Sequence, residues 1–257
     1  MLQKPTGEES QRHEVMVAVG QGEKSEVAPG IWFERLVGVH NSARGLTTGI
    51  ATVSPVSSGD FTLVDHVALS VLAGRLTLTV DDQTSQLGEF DCYYAPPQSG
   101  LSIVNSDPAI DAIFHVAMAA PSDTRPSDEW RPHLHRHAAA TSYELTAGTR
   151  FQDYFNRSLG CPAMSGGYGV FDPGTRLPCH MHDFDESITI IAGTATCVVE
   201  GRRYSLSDNA TALVPRGRCH YFMNEGNVPM AMIWVYAGGI PERMVLDEEC
   251  CARDPWA

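Results

Sequence analysis

Runs of apolar residues that alternate with polar ones, cut at short intervals by glycine and proline, organise this chain. Glu186 to Ala192 is rich in Ile and Thr and predicts a strand. Gly193 supplies a turn, Thr194 to Glu200 predicts the next strand, and Gly201 closes it. Ala231 to Ala237 predicts another, with Trp234 and Tyr236 on one face. Turn signals recur about every eight to twelve residues, a spacing that points to an all-β protein. The length of 257 residues allows one or two domains with a sizeable core.

Two segments hold the chemistry. Gly174 to Gly193 reads GTRLPCHMHDFDESITIIAG, and Pro215 to Asn224 reads PRGRCHYFMN. Residues two apart in a strand face the same way, so His180 and His182 share a face. Asp183, Phe184 and Asp185 suit a turn. The hairpin they close brings Glu186 back beside the two histidines, and His220, after a Pro-Arg-Gly turn, can face the same interior. Three imidazoles and a carboxylate suit one divalent Fe, Mn, Ni or Zn ion. Four ligands on a metal that prefers six leave two positions free.

These segments resemble the two signature motifs of the cupin superfamily. Gly174, His180, His182, Glu186 and Gly193 meet the first motif at every fixed position, and Pro215, Gly217, His220 and Asn224 meet the second. Asn209 stands where the family usually has Gly, and Asn tolerates positive φ. The resemblance implies a jelly-roll (double-stranded β-helix) barrel with the metal held inside by His180, His182, Glu186 and His220.

A second barrel is legible upstream at an offset of 119. LSVLAGRLTLTV, from Leu69 to Val80, parallels ITIIAGTATCVV; Pro96 meets Pro215, Asn105 meets Asn224, and Val80-Asp81-Asp82 meets Val199-Glu200-Gly201. The expectation is a bicupin: an arm over 1–30, an N-terminal barrel over 31–120, a linker over 121–150 and a metal-binding barrel over 151–257. Phe61, Leu63, Val67 and Leu101 replace the four ligands in the first copy and are expected to fill that barrel as core, with His66 turned to the other face. His133, His135 and His137 are expected in a solvated linker.

Phe222 shares the parity of His220 and is expected to line the cavity. Arg176 has the parity of His180; facing inward it would hold a substrate carboxylate, facing outward it is a solvated charge, and Pro178 can break the register between them. Trp234 and Tyr236 are core aromatics, one of which can close the pocket. Asn224 is expected to stabilise a turn. Cys179 and Cys219 point away from the metal.

The net charge of −13, from 18 basic and 31 acidic side chains, argues against a nucleic-acid or anionic-membrane partner. The absence of an apolar leader or membrane-length run, and seven irregularly spaced cysteines, suggest a reduced cytoplasmic protein. Cys250 and Cys251 are expected to be reduced in the tail. The family resemblance implies a homo-oligomer and a small polar or carboxylated substrate. It leans towards a non-haem Fe(II) dioxygenase. The alternatives are a redox-silent Mn or Zn isomerase, lyase or aminohydrolase, with the architecture of ureidoglycine aminohydrolases, and a non-catalytic small-molecule-binding cupin.

Overall fold

The computed structural model describes residues 12–121, 130–207 and 209–246. The tail cysteines Cys250 and Cys251 lie outside them. Among the described residues the elements are strands and three short 3-10 turns. Four sheets make two barrels.

In the first barrel a seven-stranded sheet runs His133–His135, Cys92–Ala95, His66–Ala73, Ala112–Ala119, Thr47–Val53, Ile31–Val37, Glu23–Ala28. It faces a four-stranded sheet of Ser57–Thr62, Gly100–Asn105, Leu76–Val80 and Gln83–Leu87. The second barrel pairs a six-stranded sheet, Val15–Val17, Thr211–Val214, Glu186–Ala192, Met230–Tyr236, Ser165–Phe171, Thr149–Phe155, with a five-stranded one. The latter runs Arg202–Ser207, Thr194–Val199, His220–Met223, His180–Met181, Met244–Val245.

The stretches read as arm and linker carry strands, and the arm strand crosses to the second barrel. Val15–Val17 pairs with Thr211–Val214, and His133–His135 pairs with Cys92–Ala95. Each fills a sheet edge whose backbone groups would otherwise lack partners. The three linker histidines are accordingly half-buried rather than free in solvent. His135 Nε2 lies 3.0 Å from Gln152 Oε1, and His137 packs edge-on to Tyr168.

Alternation divides each central strand between two cores. Met232, Trp234 and Tyr236 face into the second barrel, while Ile233 and Val235 pack outward against Ala68, Tyr94 and Ala117 of the first. A strand covered on both faces reads as a continuous apolar run, which MAMIWVY is. Thr48 Oγ1 and Ser187 Oγ, 2.7 Å apart, add a polar tie across this seam.

The repeat extends to backbone detail. Asn224 Nδ2 donates to Phe171 O and Val228 O, and its Oδ1 accepts from Gly226 N. Asn105 makes the same three bonds to Val53 O, Ile110 O and Asp107 N. Asp81 (φ 53°) and Glu200 (φ 47°) occupy matching left-handed turns, and Asn209 has φ 64°. Val56 stands at φ 54° where the second barrel has Gly174 at φ 78°. A β-branched residue is strained there, by roughly 1 kcal/mol. Val56 is exposed, so V56G is expected to raise the melting temperature by about 2–4 °C. A lower melting temperature would contradict the strain.

His66 does turn away from the barrel interior, with Nδ1 2.7 Å from Tyr94 Oη, and burial pushes it down to about 4. Burial lowers His115 further, to about 3. Between pH 6.5 and 5 the unfolded chain takes up protons that these two folded sites refuse, so stability is complete above 6.5 and declines as pH falls. Urea midpoints should drop across that interval, where most carboxylates stay ionised. A flat profile would contradict the burial of neutral imidazoles.

Candidate metal centre

His180 and His220 are directly paired across neighbouring strands. Glu186 opens the facing strand, beside Val214 and Tyr236. All four side chains are buried, and their ligand atoms lie within 4.8 Å of one another. Glu186 Oε2 is 2.6 Å from His220 Nε2 and 3.3 Å from His182 Nε2.

Hydrogen bonds behind the rings fix what the cluster presents. Nδ1 of His180 donates to Pro178 O, that of His182 to Glu242 O, and that of His220 to Arg218 O, each at 2.8 Å. A carbonyl only accepts, so each Nδ1 carries a proton, and each ring turns its Nε2 inward. Burial, with His220 and His182 beside it, holds His180 well below the ordinary imidazole range, in the neutral form. Burial pushes Glu186 up, but His220 and His182 outweigh it and keep the carboxylate ionised. Three Nε2 atoms and one carboxylate aimed at a common point fit a divalent cation, and hydrogen-bond partners of this kind behind the rings are what hold histidine ligands in register. The group can hold one divalent transition metal.

The turn before Glu186 is held both from the N-terminal segment and from its own barrel. Arg12 Nη1 donates to Asp185 Oδ1 at 3.0 Å while Nη2 pairs with Oδ2. Arg44 N and Arg216 N add bonds of 2.8 and 3.0 Å to the same carboxylate, and Gly217 N donates to His182 O.

Around the cluster the cavity is lined by Phe222, Trp234 and Tyr236, as sequence parity expects, and by Leu177. Burial raises Tyr236 well above the ordinary phenol range, with the Glu186 charge acting in the same sense, so it stays protonated. Arg176 is not part of this wall. Pro178 breaks the register, Leu177 takes the inward position, and the Arg176 guanidinium lies 5.3 Å from the outward ring of Tyr221. Cys179 and Cys219 face away from the ligands, packed together with Tyr221 and Leu246.

Sequence reasoning missed Arg243. It lines both the enclosed cavity, of about 10 Å³, and an outer pocket of about 250 Å³ reached past His182 and Phe184. Among the described residues no hydrogen-bond or ion-pair partner meets its guanidinium. Asp183, which shares the outer pocket, pairs with Arg216. The only hint was position: Arg243 follows the last long strand, where no motif marks it.

Residues 167–236 match the family model described as Cupin domain. The second barrel thus carries a cupin domain, and the chain has the bicupin fold, with two barrels in tandem. A formate complex of Lactobacillus farciminis oxalate decarboxylase superposes with a TM-score of 0.75 at 12% identity, over 90% of this chain and 88% of that one. A mutant of Bacillus subtilis oxalate decarboxylase gives 0.73 at 14% identity, over 90% and 79%. Another structure of the Bacillus enzyme, described for its Mn(II) centres, gives 0.72 at 14%, again over 90% and 79%. These identities establish shared fold. A stretch of 54 residues is 41% identical to endoribonuclease YbeY of Myxococcus xanthus; it is 21% of this chain and spans only 18% of that protein.

Proposed function

We propose that the C-terminal barrel is a metal-dependent active site, with His180, His182, Glu186 and His220 as ligands, for a small carboxylated molecule. The observation that carries this reading is the set of three inward Nε2 atoms and one carboxylate, locked by hydrogen bonds on the far side of each ring. The metal, when bound, supplies Lewis acidity and open coordination positions. A cavity of about 10 Å³ admits little more than one atom, so substrate approaches through the outer pocket. There Arg243 holds its carboxylate, and Glu242, on the same segment, fixes His182 through its carbonyl. Phe222, Trp234 and Tyr236 keep water from the inner wall, and Tyr236 offers a phenol proton beside Glu186.

Carbon–carbon cleavage of a small acid with Mn(II), without net oxidation, is the preferred reaction class. Its support is the bicupin likeness to oxalate decarboxylases, joined to a site at whose mouth Arg243 has no ion-pair partner among the described residues. The dioxygenase reading rests on the three-histidine, one-glutamate donor set. The protein acts on a small molecule, and among the described residues no helix is long and apolar enough to cross a membrane.

Protein loaded with Mn(II) and offered a panel of small mono- and dicarboxylates is expected to turn one over in an anaerobic cuvette. R243A should raise KM by about 10- to 100-fold, the worth of a charge-assisted pair, with metal content unchanged. Turnover that consumes O2 in proportion to product would overturn the non-oxidative reading and leave the dioxygenase.

A further inference from the structure

The N-terminal barrel has its own cavity, of about 240 Å³, which the proposed chemistry does not use. Phe61, Leu63, Val67 and Leu101 all line it. These are the positions that, 119 residues later, carry His180, His182, Glu186 and His220. They belong to the barrel's apolar core, as expected, but leave space beside them unfilled. The ligand positions of the first repeat have become part of the wall of an apolar pocket open to solvent, larger than the enclosed metal-binding counterpart of about 10 Å³.

The chemistry of the wall selects its guest. Its polar residues are Thr62, which is exposed, and Asp65, which is half-buried. None of the buried polar atoms without partners among the described residues belongs to the lining. A charged guest would be desolvated with nothing to compensate it. A dry apolar cavity of roughly 150 Å³ accommodates benzene, so this one has space for a larger hydrocarbon body. At the rim Val64 is 77% and Val27 46% exposed, giving an apolar approach from solvent.

We propose that the N-terminal barrel is a binding site for an uncharged apolar small molecule, of about the size of a fused two-ring aromatic. The site is separate from the metal centre and does not depend on the reaction assigned to it. It gives the metal-free repeat a ligand of its own, one that a carboxylate substrate cannot displace.

The test is titration of the full chain with N-phenyl-1-naphthylamine, an uncharged fluorophore. A saturable rise in fluorescence with one probe per chain is expected, reversed by naphthalene and not by naphthoate. V67F and L101F, each narrowing the chamber from a different strand, should weaken binding at least tenfold while the circular dichroism spectrum is kept; two variants guard against one failing to fold. H220A should bind the probe as the native protein does. Absence of saturable binding, or unchanged affinity in both folded variants, would overturn the site. So would one probe per two chains with binding lost on dilution to monomer, which would assign the chamber mouth to a contact between copies.

Discussion

Glu186→Gln is expected to empty the metal centre. The substitution keeps the shape of the side chain and removes the one anion facing three imidazole Nε2 atoms. Loss of partners behind metal ligands already costs about 10- to 100-fold in affinity, so loss of the charged ligand itself should cost at least 100-fold. Metal content after dialysis should fall from near one per chain to near zero, and turnover with it. H220A should do the same by a different route, since it removes an Nε2 atom and frees Glu186 from its 2.6 Å contact. The first barrel's core contains none of these residues, so its strands should stay folded in both variants. Metal retained at native stoichiometry in both would refute the ligand assignment.

Arg12→Ala is expected to produce the largest loss of stability. Arg12 and Asp185 are both buried, and the pair joins the N-terminal segment to the turn that positions Glu186. Removing one member of a buried pair strands the other charge, at a cost of about 3 kcal/mol or more. For a chain of this size that is roughly a 6–12 °C fall in melting temperature. Metal should also be held less tightly, because Asp185 directly precedes a ligand. The double variant R12A/D185N removes the stranded charge and should recover part of the loss, giving a coupling energy in a double-mutant cycle. Strictly additive effects would mean that the pair does not tie the segment to the turn.

Strand alternation made much of this molecule legible. His180 and His182 share a face because they are two apart, Glu186 returns through a three-residue turn, and the offset of 119 places Asn105 and Asn224 in identical hydrogen-bonding roles. What escaped was set by distance or by volume. Arg12 meets Asp185 across 173 residues, and no local pattern announces an ion pair of that separation. Val15–Val17 completes a sheet of the second barrel and His133–His135 a sheet of the first, and strands of three residues are too short to show a period, so these stretches read as arm and linker. Pro178 shifted the register by one and put Leu177, not Arg176, inside. Apolar character told that Phe61, Leu63, Val67 and Leu101 face inward, but not that their volumes fall short of filling the space.

The most direct test of the centre is a crystal of protein purified without added metal, measured at the absorption edges of Mn, Fe, Ni and Zn. One anomalous peak per chain is expected, bonded to Nε2 of His180, His182 and His220 and to the Glu186 carboxylate, with the three Nδ1 atoms still on their carbonyls. No peak there after soaking in each divalent ion, or a peak bonded through Nδ1, would contradict the account.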